Sequence, residues 1–63
     1  MTLDERLELQ RLLTDQGFDP GGVDGKIGPL TIDAVRDFQG SEGRVQDGYV
    51  SLTELQRLRA RGG

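Results

Sequence analysis

A 63-residue chain with no cysteine, no histidine and a net charge of −3 has neither a disulfide framework nor a Cys/His zinc site available to it. Its acidic balance argues against a nucleic-acid footprint, and no apolar run approaches the roughly 20 residues that cross a bilayer. One domain of this size buries only about 60% of the surface its unfolded form exposes, so stability must come from a small apolar cluster and well-made helix ends.

In chain order, Met1-Thr2-Leu3-Asp4-Glu5-Arg6 is acidic and lacks the basic start and apolar centre of a signal peptide. Thr2 and Glu5 stand at capping-box spacing. Leu3, Leu7, Leu9, Leu12 and Leu13 then give a broad apolar face, and Gly17 reads as the C′ residue. A first helix is predicted over about residues 3–16. The stretch from Gly17 to Thr31 follows, with five glycines, two prolines and two aspartates. Glycine supplies positive φ and proline fixes φ near −65°, so this composition describes a loop with a definite shape. Asp24-Gly25 is a turn pair, and Gly28-Pro29 marks a helix start with proline in the first turn.

The second helix is predicted over about 29–39. Leu30, Ala34, Val35 and Phe38 fall at helical spacing with Ile32 flanking, Asp33, Arg36 and Asp37 face water, and Gly40 ends the helix. Gly40-Ser41-Glu42-Gly43 is a short polar connection. A third helix is predicted over about 52–60, opened by a second capping box of Ser51 and Glu54, with Leu52, Leu55 and Leu58 on its apolar side and Gly62-Gly63 behind it. Only Val23–Ile27 and Val45–Val50 suit an extended conformation. Charge is uneven: residues 1–43 hold nine acids against four bases (net −5), and residues 44–63 two acids against four bases (net +2). Arg57, Arg59 and Arg61 fan around the helix axis, which suits a cation cluster at a helix C-terminus better than an anion site. Asp24-Gly25-Lys26-Ile27 before Thr31 resembles Asp47-Gly48-Tyr49-Val50 before Thr53. The aspartate-to-threonine span is seven positions in the first and six in the second, a degenerate internal repeat. The expected fold is all-α: a single domain over 1–63, a small three-helix bundle with ordered Gly/Pro/Asp-rich loops.

Leu9-Gln10-Arg11-Leu12-Leu13, Gly17-Phe18-Asp19-Pro20-Gly21, Val23 through Thr31 and Ala34-Val35-Arg36-Asp37-Phe38-Gln39 together resemble the peptidoglycan-binding domain 1 family. Order and spacing agree across residues 9–39, and weaker agreement continues through Asp47-Gly48-Tyr49-Val50. The distinctive part is Asp-Gly-x-x-Gly-Pro-x-Thr followed by a helix carrying Phe-Gln. The resemblance implies a compact three-helix domain that binds cell-wall peptidoglycan without catalysis. Such domains sit beside a lytic or remodelling partner such as an amidase, transglycosylase, peptidase or phage endolysin. It also implies action in the cell envelope or wall. In two places the chain departs from the family pattern. Val50-Ser51-Leu52-Thr53 lacks a second Gly-Pro, as if one residue were missing, and Arg44 stands where an apolar residue is common.

Peptidoglycan presents sugar hydroxyls, N-acetyl groups and stem-peptide carboxylates and amines. Phe18 and Phe38 fit the core pattern, which leaves Tyr49 as the aromatic platform for a sugar ring. Asp24 and Asp47 can accept from ligand amides or close their own turns. Lys26 can pair with a carboxylate, Ile27 stands beside it, and Thr31 serves either the helix start or the groove. The resemblance adds Gln39 as a groove-lining residue. The expected site is therefore Asp24, Lys26, Ile27, Thr31, Gln39 and Tyr49, in a monomer with no cofactor, no nucleic-acid partner and no membrane insertion. The alternative is a protein-interaction module of the same fold that no longer binds the wall. An EF-hand register fails because Gly43 and Val45, or Pro20 and Gly22, would stand at carboxylate positions. A paired-carboxylate enzyme needs a desolvated cleft that a domain this small has little room to build.

Overall fold

Three helices make up the regular structure: α1 (Leu3–Asp15), α2 (Pro29–Ser41) and α3 (Leu52–Gly62). The computed structural model describes residues 1–62, so Gly63 lies outside the described residues. Among the described residues no strand forms; residues 23–27 and 45–50, the two segments open to an extended conformation, run as turns and irregular chain.

Helix α1 begins as its sequence requires. The Glu5 N–H donates to the Thr2 hydroxyl at 3.2 Å and the Thr2 N–H donates to the Glu5 carboxylate at 2.7 Å. Two N–H groups with no intrahelical acceptor are thereby satisfied. The helix closes on Gln16, and Gly17 turns the chain at φ +91°. The Phe18 N–H then returns to the Leu13 carbonyl at 2.8 Å. That reversal swings Phe18 inward, where its ring meets Phe38 edge-on at 5.9 Å between centroids.

Helix α2 starts at Pro29 but does not stop at Gly40. It continues to Ser41, and the left-handed residue that ends it is Gly43 at φ +70°. Gly40 is there for space: a Cβ on it would strike the Gln46 side chain, whose amide donates to the Arg36 carbonyl at 3.0 Å. Helix α3 also runs further than residue 60, and only half of its expected capping box forms. The Glu54 N–H reaches the Ser51 hydroxyl at 3.5 Å, but the Glu54 carboxylate turns away to Arg44.

The core is Leu9 and Leu13 from α1, Ala34, Val35 and Phe38 from α2, and Leu55 and Leu58 from α3, with Leu12, Phe18 and Val50 packed against it. Leu3, Leu30 and Leu52 fall on the expected apolar faces yet are 53%, 61% and 47% exposed. Each lies in the first turn of its helix. Helix α1 packs chiefly against α3, and Arg59 fastens the pair with two 2.7 Å hydrogen bonds to Glu8. Phe38 is the centre of the core: fully buried, it touches Phe18 edge-on and lies 5.7 and 5.5 Å from the guanidinium carbons of Arg44 and Arg61. We expect Phe38→Ala to cost about 3–5 kcal/mol through the cavity it leaves, measured as the loss of unfolding free energy in a urea melt.

Candidate functional site

The loop between α1 and α2 is organised around one α1 side chain, that of Gln10, which is fully buried. Its carbonyl oxygen accepts the Asp24 N–H at 3.0 Å and the Gly25 N–H at 2.7 Å. Its amide donates to the Lys26 carbonyl at 2.8 Å and to the Asp24 carboxylate and Thr31 hydroxyl at 3.2 Å each. Asp24 closes its own turn by accepting the Lys26 N–H at 2.9 Å. That bond, followed by the one from Gln10, holds the Asp24 carboxyl below the ordinary aspartate pKa. Thr31 passes the restraint on, donating its hydroxyl to the Pro20 carbonyl at 3.0 Å. Arg6 supports the turn from outside through the Gly25 carbonyl at 2.8 Å.

Between this loop and the start of α2 lies a groove of about 230 Å³. Asp24, Lys26, Ile27 and Thr31 line it with Pro20, Gly21, Gly28, Pro29 and Leu30. Four of the six residues expected from the sequence thus come together. Lys26 is exposed and has no ion-pair partner among the described residues. The start of α2 has no side-chain cap on Gly28 and no acidic residue in its first turn. Its first N–H groups therefore have no intrahelical acceptor, and its positive dipole end is uncompensated. The groove offers a cation, backbone donors, a carboxylate edge and an apolar rim. Its one hydroxyl, on Thr31, is already engaged on both sides, and among the described residues no cluster of ligating side chains is arranged for a metal.

Gln39 and Tyr49 belong to the second turn. Gln39 is 2% exposed and its amide is consumed there: it donates to the Asp47 carboxylate at 2.8 Å and accepts the Gly48 N–H at 2.9 Å. Gln39 does not line the groove. The Asp47 carboxylate also accepts the Tyr49 N–H at 2.9 Å, and this bond, with the one from Gln39, lowers its pKa. Tyr49 stands 69% exposed on the same turn.

The repeat is closer than matching threonines suggests. Helices α2 and α3 both start five residues after the aspartate, and the buried polar residue comes seven after it in each: Thr31 after Asp24, Glu54 after Asp47. The second loop is therefore missing nothing; its counterpart of Thr31 is Glu54, and Thr53 is exposed. Arg44, the other departure from the family pattern, belongs to the same feature. It binds both Glu54 oxygens, at 2.9 and 2.5 Å, and reaches Glu42 at 2.9 Å. Gln10 is the residue of this site that local sequence chemistry does not single out; it is fully buried, and its partners lie 14 to 21 residues away.

The geometry describes a class: a small three-helix module with a groove against the start of its second helix. Residues 2–58 match the family described as "Putative peptidoglycan binding domain", and the chain belongs to that family. It is also similar to SltB3 from Pseudomonas aeruginosa, whose crystal structure was solved in complex with NAG-anhNAM-pentapeptide. The TM-score is 0.89 and the identity 46%, over 94% of this chain and 16% of the SltB3 chain. No curated relative matches the chain.

Two predictions follow from this geometry. Gly25 sits at φ +78°, where a Cβ would strike Leu3. Gly25→Ala is expected to cost at least the roughly 1–2 kcal/mol of a left-handed non-glycine residue, read from chemical denaturation. Second, Arg44 holds the Glu54 carboxyl below the ordinary glutamate value of 4.5. The stability this contributes is present above that value and is lost as pH falls through the lower folded pKa. The melting temperature should therefore hold from neutral pH to about 5 and fall below it, with Glu54→Gln lowering the plateau and flattening the acid limb.

Proposed function

We propose that the chain binds bacterial cell-wall peptidoglycan without cleaving it, acting as a monomer in the cell envelope. By doing so it holds an associated lytic or remodelling enzyme on the wall. The observation that carries this reading is the groove at the start of α2, in a chain that belongs to the peptidoglycan-binding family. Its groups complement a stem peptide. Lys26 and the uncapped helix start suit a carboxylate, the free edge of Asp24 suits an amide N–H or ammonium group, and Ile27 with Leu30 suits aliphatic side chains. Tyr49, on the neighbouring turn, offers its ring face to a sugar. Gln39 and Thr31 take part through the backbone they hold.

The similarity to SltB3, solved with a glycan-peptide fragment, supports a ligand of this kind. The test is co-sedimentation with insoluble peptidoglycan, using chitin and cellulose as controls. We expect saturable depletion by peptidoglycan alone. Lys26→Met should weaken binding at least about tenfold, the low end for one charge-assisted hydrogen bond, and Tyr49→Ala about threefold. Folded protein that remains in the supernatant would mean that the fold serves a protein partner instead.

A further inference from the structure

We propose that Gln10 is the positioning residue of the groove, its buried carboxamide fixing where Asp24, Lys26 and Thr31 stand toward a ligand. The identity of that ligand rests on the wall-binding reading above; the role of Gln10 rests on its geometry. An amide has two hydrogens and two lone pairs to place. Gln10 uses the lone pairs on the Asp24 and Gly25 N–H groups and divides the hydrogens among the Lys26 carbonyl, the Asp24 carboxylate and the Thr31 hydroxyl. These partners lie on both walls of the groove, the loop on one side and the first turn of α2 on the other. Thr31 extends the connection to the Pro20 carbonyl, so a third edge follows the same side chain. An apolar residue of similar length would fill this buried position with no bonds to satisfy. The carboxamide therefore contributes orientation as well as burial.

The chain carries its own comparison. Gln39, equally buried, grips Asp47-Gly48 through the same pair of contacts. There, however, the position of Thr31 is taken by Glu54, which Arg44 binds through both oxygens. The second turn carries an internal ion pair at this position, while in the first Thr31 lines the groove with Lys26, Ile27 and Leu30. Two similar grips thus act in different places, and it is the partners of Gln10 that line the groove at the start of α2.

The test is an NMR titration with NAG-anhNAM-pentapeptide of the wild-type chain, Gln10→Met and Gln39→Met, below the melting temperature of each. Both variants should melt earlier. Gln10→Met should lose tenfold or more in affinity, about the effect of one well-placed buried hydrogen bond, whereas Gln39→Met should lose no more than about threefold. A folded Gln10→Met that binds within about threefold of wild type overturns the proposal, as do equal losses in the two variants. Should Gln10→Met fail to fold, hydrogen exchange in the wild-type chain decides. The Asp24 and Gly25 amides, which donate to Gln10, should exchange within about tenfold of the Leu13 amide in the core of α1. Exchange as fast as at Gly22 overturns the grip itself. Wild-type protein with a protected Gly25 amide and no affinity for the probe would overturn the wall-binding reading and, with it, the ligand-positioning role.

Discussion

The seven buried apolar side chains among the described residues are few for a domain that must also hold two irregular loops in place, and the sequence has no cysteine to form a disulfide. What makes the arrangement workable is the burial of two glutamine amides hydrogen-bonded to the backbone and the aspartate carboxylates of the turns. An unpaired amide in that position would cost about 1–3 kcal/mol. Paired as they are, Gln10 and Gln39 convert that liability into a fixed loop geometry. Asp24, Gly25 and Thr31 around the first turn, and Asp47 and Gly48 in the second, take their places from these contacts. Buried polar networks of this kind carry high stakes, because half-satisfied they are worse than none.

A second polar feature works differently. The Arg44 guanidinium lies over the Phe38 ring while binding Glu54 and Glu42. A buried ion pair is weak evidence of net stabilisation, since desolvation offsets much of the Coulomb attraction. Its clearer effect is on shape. It withdraws the Glu54 carboxylate from the cap of α3 and places the guanidinium over the central aromatic ring. The two halves of the repeat therefore diverge by two residues that depend on each other, Arg44 and Glu54.

Much of the fold could be read from the chain because local chemistry determined it. Thr2 and Glu5 at capping distance, Gly17 after an apolar face, Pro29 at a helix start and the paired Asp-Gly turns each specify a conformation over a few residues. The failures are of a different kind. Gly40 was read as a stop because glycine usually is one, but its role is to admit the Gln46 side chain, a tertiary contact invisible to propensity. Leu3, Leu30 and Leu52 match the helical period, which gives a direction around the axis and no position along it. Glu54 reads as half of a capping box because Ser51 precedes it by three residues, but its carboxylate binds Arg44, a partner ten residues away. For the groove, Asp24, Lys26, Ile27 and Thr31 were legible as loop chemistry. Gln10 was not, because a polar letter within a leucine-rich face looks like solvent exposure until its partners, 14 to 21 residues away, are in place.

Those separations also bear on how the chain reaches its structure. Gln39 closes its turn over 8 or 9 residues and Gln10 over 14 to 21, whereas the Arg59–Glu8 clasp spans 51 and the Gln16–Leu58 contact 42. Closing a loop costs entropy that grows with its length, so short closures are available before long ones. The turns can be organised by neighbouring helices early, leaving the docking of α3 on α1 to complete the core. The closure with the largest entropy cost is then the one that joins the two ends of the described chain, α3 on α1.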